Sequence, residues 1–109
     1  MIQHKTLALG RWFQMSLMEQ LANTGSEVGR SLKWKSNQQD ALFQKAWARA
    51  LELLDLTIQD PKNKSRLSEL TRLREVLLDY MVDRNEYGSS ASFWTSYFSG
   101  FGLAARKGQ

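Results

Sequence analysis

Between Ser36 and Asp60 the apolar residues fall at Leu42, Phe43, Ala46, Trp47, Ala50, Leu51, Leu53, Leu54 and Ile58. This is the i, i+3, i+4, i+7 recurrence of a helix with a wide buried face. Ser36 and Gln39 have the spacing of a capping box, and Asp60-Pro61 ends the run because a residue before proline leaves the helical region. The pattern predicts a helix over 37–60, and the rest of the chain is read as organised around it. Ala46, Ala48 and Ala50 keep one flank thin enough for a neighbouring helix to approach closely.

The same periodicity predicts three further helices. Leu9, Trp12, Phe13, Leu17, Leu21, Val28 and Leu32 hold one stripe across Gly25 and Gly29. Each glycine costs about 1 kcal/mol against alanine in a helix interior. A break at residues 23–26 competes with one long helix over 5–34, and the continuous phase favours the long helix, kinked or straight. Leu67, Leu70, Leu73, Val76, Leu77, Tyr80 and Met81 give a third helix over 63–85. Asp60-Pro61 caps it early or Asn63 or Ser65 caps it later. Glu69 with Arg72 is the attractive neighbour pair on its surface. Residues 85–90 read as a loop with Gly88 in a left-handed conformation. The fourth helix, 90–105, carries Phe93, Trp94, Tyr97, Phe98 and Phe101, with Ser90 or Ser92 as its cap and Gly100 and Gly102 weakening its last turns; a frayed tail follows.

Four helices with short connections predict an all-α, up-down-up-down four-helix bundle spanning 1–109 as one domain. No stretch alternates with period two long enough to read as a strand. Trp47, Leu54, Leu70 and Leu77 are the expected centre of the core.

Composition narrows the chemistry. The chain has 109 residues and no cysteine. Disulfides and thiolate metal sites are therefore excluded, which suits a cytoplasmic location. No apolar run is long enough to cross a membrane, and MIQHKTLALGRWF lacks the pattern of a signal peptide. A helical bundle invites a di-iron site, which needs two Glu-x-x-His pairs. The sole histidine is His4, so Glu19, Glu27, Glu52, Asp55, Glu69 and Glu75 read as solvated faces. No Ser-His or Cys-His arrangement exists. Residues 25–30 lack the lysine and spacing of a phosphate loop. The expectation is a non-enzyme with no metal and no cofactor.

The net charge of +4 and pI near 9.6 raise an anionic partner. In an up-down bundle Lys5, Arg11, Lys62, Lys64, Arg66, Arg106 and Lys107 meet at one pole. They are the candidate nucleic-acid contacts, opposed mainly by Asp55 and Asp60. Arg30, Lys33 and Lys35 form a smaller group at the other pole. Gly25, Gly29, Phe93, Trp94, Tyr97, Phe98 and Phe101 are the candidate oligomer interface, because aromatic residues concentrate at such interfaces. Core packing is the competing use of the same rings.

The segment WARALELLDLTIQD, a short turn and RLSELTRLREVLLDY resemble the middle of small bacterial four-helix bundles. These include accessory variability determinant proteins of diversity-generating retroelements and proteins encoded in ribosomal-RNA intervening sequences. The resemblance covers 43–80 and rests on the hydrophobic pattern with Arg49, Glu52, Leu53, Leu54, Arg72 and Leu73. It implies a basic, ring-forming, non-enzymatic bundle that binds nucleic acid or a reverse transcriptase. The functional expectation is a self-associating binding module, a homo-oligomer contacting RNA or a nucleic-acid-processing protein. The alternative is a protein–protein scaffold with incidental charge.

Overall fold

A computed structural model describes residues 10–107, with side chains to Arg106. Among these the chain is all helical: a helical turn over 10–13, then α1 (Leu17–Ser36), α2 (Asp40–Gln59), a 3-10 helix (Pro61–Arg66), α3 (Leu67–Val82) and α4 (Ala91–Lys107). The coarse expectation of four amphipathic helices holds. Several boundaries and the choice of central element do not.

The first helix is not continuous from residue 5. The chain breaks at 14–16, and α1 begins behind Ser16. The Ser16 hydroxyl accepts the Glu19 backbone N–H at 3.2 Å, and the Glu19 carboxylate accepts the Ser16 N–H at 2.9 Å. This is a capping box, and the hydrogen bonds from Ser16 hold the Glu19 carboxyl below its usual range. From there α1 runs unbroken through Gly25 and Gly29, as the phase predicts.

The capping box expected at Ser36 and Gln39 is absent. The Ser36 hydroxyl donates back to the Lys33 carbonyl, and Gln39 makes no side-chain cap. These residues end α1 instead. The Gln39 N–H reaches the Trp34 carbonyl, the Gln38 N–H reaches the Lys35 carbonyl, and Gln38 takes φ +58°. That is a Schellman ending with glutamine where glycine is usual. Gln38→Gly is expected to raise the unfolding free energy by about 0.5–1 kcal/mol, since it relieves the left-handed cost of a residue with a Cβ. Urea denaturation checks this, and a loss of stability would contradict it.

Of the two expected starts of the third helix, the structure takes the early one, as a 3-10 turn. Asp60 accepts the Lys62 N–H at 3.1 Å and opens a 3-10 turn with Pro61 at its first position. Neither Asn63 nor Ser65 serves as a cap: the Asn63 amide donates to Gln20 and the Thr57 carbonyl, and α3 begins behind Arg66 with no side-chain cap. Glu69 pairs with Arg66 at 3.1 Å, not with Arg72, which lies over the Tyr87 ring. Gly88 is left-handed as expected, at φ +68°. The Ser90 hydroxyl accepts the Phe93 N–H, and α4 continues through Gly100 and Gly102 to Lys107.

The helix with the widest apolar face is not the hub. α1 lies closely along both α2 and α4, while α3 stands further off. Small residues explain this. On α1, Thr24 and Ser31 are fully buried, and each donates its hydroxyl to the carbonyl four residues back. Their burial leaves no donor unmet. On α2, Ala46 and Ala50 face inward, whereas Ala48 faces solvent. Trp47, Leu54, Leu70 and Leu77 join one core with Leu21, Val28, Trp94 and Phe98. α3 is tied to α2 across the surface by Arg74 and Asp55 at 2.7 Å.

Candidate functional site

The polar chemistry of the fold gathers in two knots. The larger lies where the 10–13 turn, α1, α2 and the 3-10 helix converge. The Gln20 amide, fully buried, donates to the Trp12 carbonyl at 2.9 Å and to Asp60 Oδ2 at 2.8 Å. Its oxygen accepts Asn63 at 2.8 Å, and Asn63 also reaches the Thr57 carbonyl at 2.9 Å. The Trp12 indole donates to the Thr57 hydroxyl, which donates to the Leu53 carbonyl. Lys62 Nζ pairs with Asp60 and reaches the Phe13 carbonyl at 2.9 Å. Burial pushes the Asp60 carboxyl up, but the Lys62 ammonium, the Gln20 amide and the Lys62 N–H together hold it below its ordinary value. Trp12, Leu53 and Leu56 make a small second core beneath this knot. No buried side-chain polar atom of the knot lacks a partner among the described residues, and the bonds fix four segments against one another.

The smaller knot closes the α3–α4 loop. Asp79 accepts the backbone N–H groups of Glu86 and Tyr87 at 2.9 and 3.1 Å. Asn85 brackets Ser89 through both side-chain atoms. The Tyr87 hydroxyl donates to Glu75 at 2.6 Å, and this bond pushes the phenol up from its ordinary value.

The seven expected nucleic-acid contacts are used unequally. Lys62 is committed to buried Asp60, and Arg66 pairs with Glu69. Arg11 and Lys64 are exposed, with no ion pair among the described residues. The Lys62–Phe13 bond places the Arg11 segment beside the 3-10 helix. Arg106 lines a groove between α1 and α4. Lys5 and the Lys107 side chain lie outside the described residues.

At the opposite end, the α1–α2 turn is more open. Arg30 and Arg49 are held by Glu27 and Glu52, each at 2.9 Å. Lys33, Lys35 and Lys45 have no ion pair among the described residues, and Asp40 is the one acid between Arg30 and Arg49. Lys33 Nζ sits 5.0 Å from the Trp34 ring centroid, and Lys35 Nζ sits 5.6 Å from that of Phe43. Such contacts draw an ammonium toward a ring face and are worth about 0.5–1 kcal/mol at exposed sites.

The interface candidates divide in the same way. Trp94 and Phe98 are 2% and 5% exposed and belong to this chain's own core. Gly25 is their counterpart: a Cβ there would meet Phe98 Cβ at 2.6 Å. Tyr97 and Phe101 pack against the core edge, and burial followed by the charge of Glu69 pushes the Tyr97 phenol up. Phe93 alone of the five rings is mostly exposed, at 51%. Gly29 opens onto space, with nothing within 4 Å of a Cβ.

Between α1 and α4 runs a groove of about 300 Å³, walled by Gly25, Ser26, Gly29, Ser99 and Gly102, with Trp94 and Phe98 lining it. Sequence reasoning singled out its glycines and rings but not the groove. Among the described residues, Trp94 Nε1 is the one buried side-chain polar atom with no partner, a state that costs about 1–3 kcal/mol. No group of three His, Asp or Glu residues lies close enough to hold a metal ion among the described residues. No described helix is long and apolar enough to cross a membrane. Comparison of the chain with protein-family models, curated proteins and solved structures finds no match.

Proposed function

We propose that this chain is a non-catalytic, self-associating binding module on an up-down-up-down bundle. In this reading it contacts the phosphate backbone of RNA, alone or within a nucleic-acid-processing partner. The observation that carries the reading is the α1–α2 turn, where Lys33, Lys35 and Lys45 stand without acidic partners and two of them rest on aromatic faces. Clustered cations attract phosphates by releasing condensed counterions, and contacts of this kind position a strand without reading its sequence. Arg11 and Lys64 at the other end give a second, smaller contact.

The test is a titration of single-stranded RNA at several salt concentrations. Three phosphate contacts predict a log–log salt slope of about −2, at roughly −0.7 per contact. The triple variant Lys33→Glu, Lys35→Glu, Lys45→Glu is expected to abolish binding, and the pair Arg11→Glu, Lys64→Glu to weaken it. Lys62→Glu is unsuitable, because it attacks the buried Asp60 and reports on folding. Equal binding by wild type and the triple variant, or no wild-type binding at low salt, discards the nucleic-acid reading.

A protein scaffold is the second reading, favoured by the exposure of Phe93 at 51% and Leu103 at 54% on α4. Exposed apolar side chains of this size suit association between subunits. Sedimentation at tens of micromolar checks it: wild type is expected to be oligomeric, and Phe93→Ser to shift it toward monomer. A wild-type monomer removes self-association.

A further inference from the structure

We infer that the α1–α4 groove is a docking site for an acidic amphipathic helix from a partner protein. None of Lys33, Lys35 and Lys45 lines it. The groove runs along Thr95, Ser99, Gly102 and Arg106 on α4, a distance of about 16 Å at the helical rise. On its α1 wall Ser26 and Gly29 are small, and the space over Gly29 is open, so a third backbone can approach there. Long, shallow and small-walled, it is shaped for a helix laid lengthwise, the groove mode of recognition.

Charge selects the occupant. Arg106 is the one charged residue lining the groove, and it has no ion pair among the described residues. Residues 91–107 contain no Asp or Glu at all. A carboxylate on the incoming helix meets a guanidinium there, and a basic helix meets unopposed repulsion. Two further observations favour occupancy. Leu103, 54% exposed, follows Gly102 on α4 and extends the apolar rim beyond the groove. Ser26, Thr95 and Ser99 also line it, so hydroxyls stand beside the guanidinium.

Gly29 makes the inference testable without disturbing the fold. A side chain at Gly29 meets nothing of this chain and enters the groove, whereas one at Gly25 strikes Phe98. The probes are two synthetic helical peptides with the same leucine and alanine stripe, one bearing glutamates on its polar face and the other lysines. The acidic peptide is expected to bind wild type by calorimetry, and the basic one not to bind. Gly29→Leu is expected to abolish that binding while keeping the circular dichroism spectrum and melting temperature. Arg106→Glu is expected to weaken it about tenfold or more. RNA binding through Lys33, Lys35 and Lys45 stays unchanged in Gly29→Leu, so failure here and failure of the RNA reading are distinct. Equal binding of both peptides, no binding of the acidic one at millimolar concentration, or indifference to Gly29→Leu overturns the inference. So does a wild-type dimer that Gly29→Leu converts to monomer, since the occupant would then be a second copy.

Discussion

Leu54→Ala is expected to lower the unfolding free energy by about 3–5 kcal/mol. Leu54 is 0% exposed and lies in the main core beside the stripe of Trp47, Leu70 and Leu77. The change removes a methine and two methyl carbons and leaves a void that close-packed neighbours fill only in part. Against a total of about 5–15 kcal/mol for a domain of this size, that is a large share. Urea denaturation measures it through the midpoint at constant slope. A loss below about 0.5 kcal/mol, the range of surface substitutions, would show that the stripe is not the core.

Asp60→Ala is expected to cost about 2–4 kcal/mol by a different route. It strands Gln20 in a fully buried position, removes the cap of the 3-10 helix and takes away the partner of Lys62. Removing one member of a buried hydrogen-bonded pair leaves the other unpaired, which is the expensive direction. Lys62 is 40% exposed, so water recovers part of the loss. The same carboxylate makes stability depend on pH. Its folded value lies below its ordinary one, so the unfolded chain takes up the proton first. The stabilisation is present in full above the ordinary aspartate value of about 4 and falls away as pH drops below it. Asp60→Asn is expected to flatten the pH dependence of the denaturation midpoint between about pH 2 and 5 relative to wild type. An unchanged slope would show that Asp60 titrates alike in both states.

Where apolar residues set the geometry, the sequence was readable. The stripe of α2 and α3 located the core because leucine at helical spacing has few other uses. Pro61 ended α2, and Gly88 marked the left-handed turn, each for a backbone reason carried by the residue itself. The break at 14–16 was hidden because Trp12, Phe13 and Leu17 keep helical phase across it. The signal was nonetheless present, since Ser16 and Glu19 have capping-box spacing. Ser36 and Gln39 have the same spacing and form no box, because Gln38 has already turned left-handed. The hub was misplaced for a related reason. Periodicity counts apolar residues, whereas close approach depends on small ones: Gly25 reads as an oligomer interface, and Thr24 and Ser31 carry no apolar signal. The Gln20–Asp60–Asn63 knot was beyond reach, because its members lie on three elements brought together only in space. Among the candidate interface residues, the sequence does not show which rings this chain buries in its own core. That Phe98 fills the place of a side chain at Gly25 is a fact of packing between α1 and α4.

That last contact also bears on how the chain reaches its fold. α1 and α2 are joined by a three-residue turn, so their pairing is local and its loop-closure cost small. α4 docks on the same α1 from about seventy positions away, through Phe98 against Gly25. High sequence separation makes such contacts late in folding. The α1–α2 hairpin is then the nucleus, and α4 is the last piece to close. Destabilising changes at Gly25 or Phe98 belong on the unfolding limb of the chevron, and those at Ala50 or Val28 on the folding limb.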